Sequence, residues 1–134
     1  MDRYMIVIPA KNRAFNMKCD DGDSMKLETL QKLVGGPIEP VPALLSAEWA
    51  REKDVDGILL LVNEEGLMKE RPLTNQRASE MTAAELVGPA VVVAKRGDEL
   101  IGFAKPVAES ICAEWEIPLE ATGTGECFQT FNPD

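Results

Sequence analysis

Leu27 to Pro42, LETLQKLVGGPIEPVP, is the stretch on which the fold turns. Leu27, Leu30, Leu33 and Val34 recur at three- and four-residue intervals, which draws one core-facing apolar stripe on a helix and leaves Lys26, Glu28, Gln31 and Lys32 to water. Gly35 and Gly36 stop that helix, because a glycine just past the last turn accepts the left-handed conformation at little cost and lets the chain reverse into Ile38. A backbone nest for an anion is the functional alternative at this glycine pair. Pro37, Pro40 and Pro42 cannot donate ladder hydrogen bonds, so PIEPVPALL reads as an edge strand or an extended crossing segment.

Working toward the N-terminus, Tyr4 to Pro9 (YMIVIP) is a dense, branched apolar run and predicts a buried central strand. Ala14 to Cys19 pairs with it as a hairpin across Lys11, Asn12 and Arg13, and Asp20, Asp21, Gly22 and Asp23 form the next turn. Carboxylates around a glycine suit calcium, but Met25 and Leu27 stand where an EF-hand loop needs oxygen ligands. The turn is therefore read as solvated, with Asp23 or Ser24 capping the helix.

Toward the C-terminus, Leu44 to Lys53 predicts a helical turn around Trp49, and Gly57 to Asn63 (GILLLVN) is the strongest strand signal. Glu64, Glu65 and Gly66 turn it into Leu67 to Glu70, expected to return antiparallel. Thr74 or Asn75 caps a short helix within Arg71 to Glu80. Leu86 to Lys95 is a second buried strand, and Arg96 to Glu99 turn it into Leu100 to Phe103. The Arg96-Gly97-Asp98 triplet is explained by that turn rather than by adhesion. Lys105 to Trp115 is a helix with Pro106 in its first turn and Val107, Ala108, Ile111, Cys112 and Trp115 on one face, which makes Cys112 a core residue.

These elements predict an α+β fold, a mixed and mostly antiparallel sheet covered by two main helices. Residues 1–116 form one domain, and 117–134 form a C-terminal tail that is mobile or docks Phe128 and Phe131 on a neighbouring subunit. That tail and the Trp49 segment are apolar features without a place in so small a core, and they predict a homo-oligomer. At 134 residues, 45% hydrophobic and 28% charged, the chain can bury an ordinary core, an aliphatic one since aromatics reach only 5%.

A formal charge of −9 repels a phosphate backbone and excludes nucleic acid as a partner class, while leaving open an acidic mimic that occupies a basic protein. Cys19, Cys112 and Cys127 are odd in number and widely spaced, which reads as reduced thiols in a cytoplasm rather than a zinc or redox site. The N-terminal apolar run is too short for a signal-peptide core or a membrane span, and neither membrane attachment nor a cofactor is expected.

No histidine occurs, so acid–base catalysis near neutral pH lacks its easiest side chain, and an enzyme is disfavoured. Glu64 and Glu65 are adjacent in a turn and point apart rather than forming a catalytic pair. The candidate ligand-binding cluster is Lys69, Arg71, Asn75 and Arg77, a basic island in an acidic chain. Arginine matches phosphate with a planar fork and asparagine can read a base or ribose edge, so a small nucleotide is the ligand class. Surface pairing with Glu70 and Glu80 is the structural alternative for the same residues.

LETLQKLVGGPIEPVP, GILLLVNEEG, RPLTNQRA and LVGPAVVVAKRGDELIGF follow one another much as in the domain of unknown function 3846 family, which the chain resembles from about Tyr4 to Phe103. The likeness is most specific at Leu33 to Glu39, Asn63 to Gly66 and Asn75 to Ala78. It departs at the Trp49 insert and after Trp115. The resemblance implies a small α+β domain from a bacterium, phage or other mobile element, and carries over no catalytic residue. In that setting the expected role is a non-enzymatic protein in the host cytoplasm that counters host defence by sequestering a nucleotide-type signal. The alternatives are an acidic interaction module that inhibits a host protein and, third, a small nucleotide-processing enzyme.

Overall fold

The apolar run at the N-terminus forms Tyr4–Ile8 (β1), and it pairs antiparallel with Phe15–Lys18 (β2), setting Tyr4 opposite Lys18 and Val7 opposite Phe15. The computed structural model describes residues 3–11, 13–44, 56–66, 73–115 and 117. Within them follow Leu27–Val34 (α1), Ile38–Pro42 (β3), Gly57–Asn63 (β4), Gln76–Glu80 (α2), Ala90–Arg96 (β5), Glu99–Ile101 (β6) and Lys105–Glu114 (α3). The fold is α+β.

The strands form one sheet in the order β2-β1-β5-β4-β3, with β6 also on β5. Every pair is antiparallel, so the described sheet has none of the parallel pairing that a mixed sheet allows. Among the described strands β3 pairs only with β4, and its prolines sit on the outer strand of the described sheet, as the missing N–H groups require. One edge of β5 is served by two strands end to end: β1 pairs with Ala90 to Val92 and β6 with Ala94 to Arg96. They meet where Tyr4 and Phe103 exchange backbone hydrogen bonds of 2.7 and 2.6 Å and Arg3 Nε donates to the Gly102 carbonyl at 2.8 Å.

The run Ala90 to Ala94 is apolar without alternation because helices cover the sheet on both faces. On one face α1 lays Leu30, Leu33 and Val34 over Met5, Val7, Leu61, Val91 and Val93. On the other, Ala108, Ile111 and Cys112 of α3 join Ala78 of α2 over Ile6, Ile8, Leu60, Val62 and Val92. Full burial of each large aliphatic side chain is worth about 2 kcal/mol, so the three buried residues of α1 fix its position on the sheet.

The glycine stop of α1 is as expected: Gly35 has φ 85° and its N–H donates to the Gln31 carbonyl at 2.8 Å. Three details differ from the sequence reading. Leu27 does not face the core; it is 59% exposed, because the stripe runs past the covered part of the sheet. Neither Asp23 nor Ser24 caps α1. Asp20 does so from outside the turn, its carboxylate accepting from the Lys26 N–H at 2.9 Å and the Thr29 hydroxyl at 2.6 Å, while Ser24 closes the turn onto the Asp21 carbonyl. Leu86 to Pro89 precede β5 rather than belonging to it, since Gly88 turns at φ 73° and Pro89 lacks an N–H. The Trp49 segment, the return strand at Leu67 to Glu70 and the tail with Phe128 and Phe131 lie outside the described residues. Among the described residues, no helix is long and apolar enough to cross a membrane.

Candidate functional site

The three stretches that carry the family resemblance, distant in sequence, meet at one end of the sheet. Asn63 closes β4 and is buried, its Oδ1 accepting from the Glu65 N–H at 2.8 Å to hold the turn after the strand. Gly36 lies against this amide: a Cβ there would stand 2.9 Å from Asn63 Oδ1. The neighbouring Glu64 N–H donates to the Pro37 carbonyl at 2.7 Å, which joins the start of β3 to the same turn. Gly66 in turn approaches Val87, where a Cβ would be 2.8 Å from Cγ2. Val87 bridges to Thr74, beside Asn75.

Asn75 caps α2, its Oδ1 accepting from the Ala78 N–H at 3.1 Å. It does more than cap. Its Nδ2 donates both protons, to the Ile8 carbonyl at 2.8 Å and the Gly88 carbonyl at 2.9 Å, and the residue is 0% exposed. Ser79 supports the same knot, its hydroxyl donating to the Asn75 carbonyl at 2.7 Å and accepting from the Leu86 N–H at 2.8 Å. Asn75 therefore ties the end of β1 to the start of β5, and its two amide protons are already committed to backbone. These bonds leave the amide no further proton with which to read a ligand.

Arg77, two residues on, is half-buried and reaches over the end of β1, Nη2 donating to the Pro9 carbonyl at 2.6 Å. Desolvation lowers its pKa from the ordinary arginine value. The contact sets its guanidinium against the turn that carries exposed Lys11 and Arg13. Sequence reasoning missed these two cations because they stand more than sixty positions from Arg77; the hairpin at Tyr4 to Cys19 was the signal that they share one turn. Lys69 and Arg71 lie outside the described residues.

At the opposite end three carboxylates line one cavity. The Asp21 and Ser24 backbones pair at 2.9 and 3.2 Å, and the Asp23 carbonyl accepts from the Gly102 N–H at 2.7 Å, fixing the turn beside β6. Between this turn, the start of α1 and β6 lies an open cavity of about 530 Å³, with Asp21, Asp23 and Glu99 on its rim and Leu27, Ile38 and Leu100 among its apolar lining. Among the described residues, no group of three His, Cys, Asp or Glu side chains gathers to hold a metal ion.

The two described thiols are buried within the core clusters. Burial, helped by Asp20, pushes Cys19 up to about 11, and burial with Glu109 does the same to Cys112. Both are protonated at neutral pH and poor nucleophiles.

The model of one family, Domain of unknown function (DUF3846), matches residues 3–115. No curated protein and no solved structure gives a significant match.

Proposed function

From the premise that this chain belongs to the domain of unknown function 3846 family, we propose that it is a non-enzymatic binding protein of a phage or mobile element, and that it sequesters a phosphate-bearing nucleotide signal of host defence at the end of the sheet that carries Arg77. The observation that carries this reading is Arg77, held on the Pro9 carbonyl where the chain enters the turn bearing exposed Lys11 and Arg13, at the end where the three signature stretches converge. A guanidinium already held on a backbone carbonyl loses less freedom when it takes a phosphate. Asn75 shapes the site without touching ligand. Binding rather than turnover fits a chain without histidine whose described thiols are held protonated.

The test is calorimetric titration of the full chain with mononucleotides, cyclic dinucleotides and ADP-ribose, followed by chromatography of the ligand. Binding with the ligand recovered unchanged is expected, and Arg77→Ala should weaken it about tenfold, the worth of one charge-assisted bond. Arg77→Lys keeps the charge and loses the fork. Absence of binding across the panel, or equal affinity in Arg77→Ala, refutes the reading, and a converted product replaces it with the enzyme alternative. The protein is also read as a homo-oligomer, through the apolar segments around Trp49 and after Trp115; a monomer mass by light scattering refutes that.

A further inference from the structure

At the other end of the molecule, we propose that the acid-rimmed groove beside α1 is a docking site for a cationic amphipathic segment of a partner protein. The inference does not depend on the nucleotide reading. Leu27 carries it. A leucine in the apolar stripe of α1 should lie on the sheet, yet it is 59% exposed and lines the cavity, as half-buried Ile38 and Leu100 do. The apolar face of α1 thus extends past the part of the sheet it covers and leaves an unfilled hydrophobic floor.

Charge complementarity selects the occupant. Among the described lining residues the ionisable side chains are Asp21, Asp23 and Glu99, and none is a lysine or arginine. None of the three carboxylates has a described ion pair, whereas the adjacent Asp20 is consumed in capping α1. Phosphate-bearing partners, whether nucleic acid or anionic lipid, are repelled by such a rim. A segment with apolar residues on one side and lysine or arginine on the other satisfies both floor and rim, in the helix-in-groove manner. The rim is rigid, because the turn is closed by the Asp21–Ser24 pair and tied to Gly102, so docking orders little of this chain.

The probe is a short fluorescein-labelled peptide that repeats leucine and lysine at helical spacing, with a leucine–glutamate counterpart as control, titrated against the full-length protein by anisotropy. Binding of the lysine peptide alone, weakening as salt is raised, is expected. Leu27→Ser should weaken it about tenfold, as loss of one buried leucine contact does. The combined variant Asp21→Asn, Asp23→Asn, Glu99→Gln should remove most of the salt dependence. A matched variant at the other end, Glu64→Gln, Glu65→Gln, Glu80→Gln, should leave affinity unchanged; these side chains are exposed, as Leu27 is, so neither set endangers the fold. Equal weakening by the matched variant means the peptide senses only the overall negative charge, and overturns the proposal. So does failure of the lysine peptide to bind, or indifference to Leu27→Ser.

Discussion

Replacing Asn75 by aspartate separates two explanations of why an asparagine stands there. As an N-cap, aspartate is as good as asparagine, and a cap alone is worth about 1 kcal/mol. As a two-proton donor it cannot serve: the Nδ2 that approaches the Ile8 and Gly88 carbonyls at 2.8 and 2.9 Å becomes a carboxylate oxygen facing two acceptors, in a site that is 0% exposed. Loss of two buried hydrogen bonds at about 1–2 kcal/mol each, with an anion left desolvated, should cost about 3–5 kcal/mol, a large share of the about 5–15 kcal/mol that domains have. Asn75→Ala loses the same bonds and the cap but buries no charge, so it should cost less, about 3 kcal/mol. The assay is urea unfolding followed by tryptophan fluorescence, repeated across pH. In the Asp variant burial raises the folded-state carboxyl above its unfolded value of about 3.9. Relative to wild type it is therefore most stable below that value, where the protonated acid can donate again, and loses stability as pH rises through the folded value. An Asp variant as stable as wild type at neutral pH would refute the donor role.

Gly36→Ala should destabilise by about 1–3 kcal/mol, since the new Cβ would stand 2.9 Å from Asn63 Oδ1 and must displace the amide that holds the Glu65 N–H; Gly57→Ala, with nothing within 4 Å of its Cβ, should be far milder in the same thermal melt. Asp20→Ala should lower stability by about 1 kcal/mol through loss of the α1 cap, while Asp23→Ala stays within about 0.5 kcal/mol, and the reverse order in chemical denaturation would return the cap to Asp23. Cys19 and Cys112 titrate at about 11 folded against an ordinary 9.0, so their contribution to stability is complete below pH 9.0 and lost as pH rises toward about 11; in a Cys127→Ser background both thiols should resist alkylation at neutral pH until the protein unfolds.

The elements with strong local pattern were legible in the sequence. The stripe at Leu30 to Val34, the glycine stop, the proline edge and the GILLLVN strand each obey a rule confined to a few neighbouring residues. What escaped depends on partners far along the chain. The capping carboxylate of Asp20 lies six residues before the N–H it accepts, and Asn75 reads as a cap from its neighbours while its other two bonds go to Ile8 and Gly88. The candidate site was legible in the same partial way. Arg77 was found by its charge, but the carbonyl that holds it belongs to Pro9 at the end of β1, and Leu27 passed for core because periodicity reports the face of a helix and not how far the sheet beneath it extends.

The shared edge of β5 also sets a schedule for folding. β1 is synthesised before the other elements of this domain, yet the bonds that anchor its first residues come from Gly102 and Phe103, and Arg3 reaches a carbonyl 99 positions away. On the ribosome β1 must wait, as an apolar strand paired only with β2, until nearly the whole domain has emerged and β5 and β6 present the edge on which it rests. A nascent chain stalled before β5 has emerged would leave that hairpin without its central neighbour, open to proteases and chaperones, and emergence of β5 and then of Gly102 and Phe103 would lock it away.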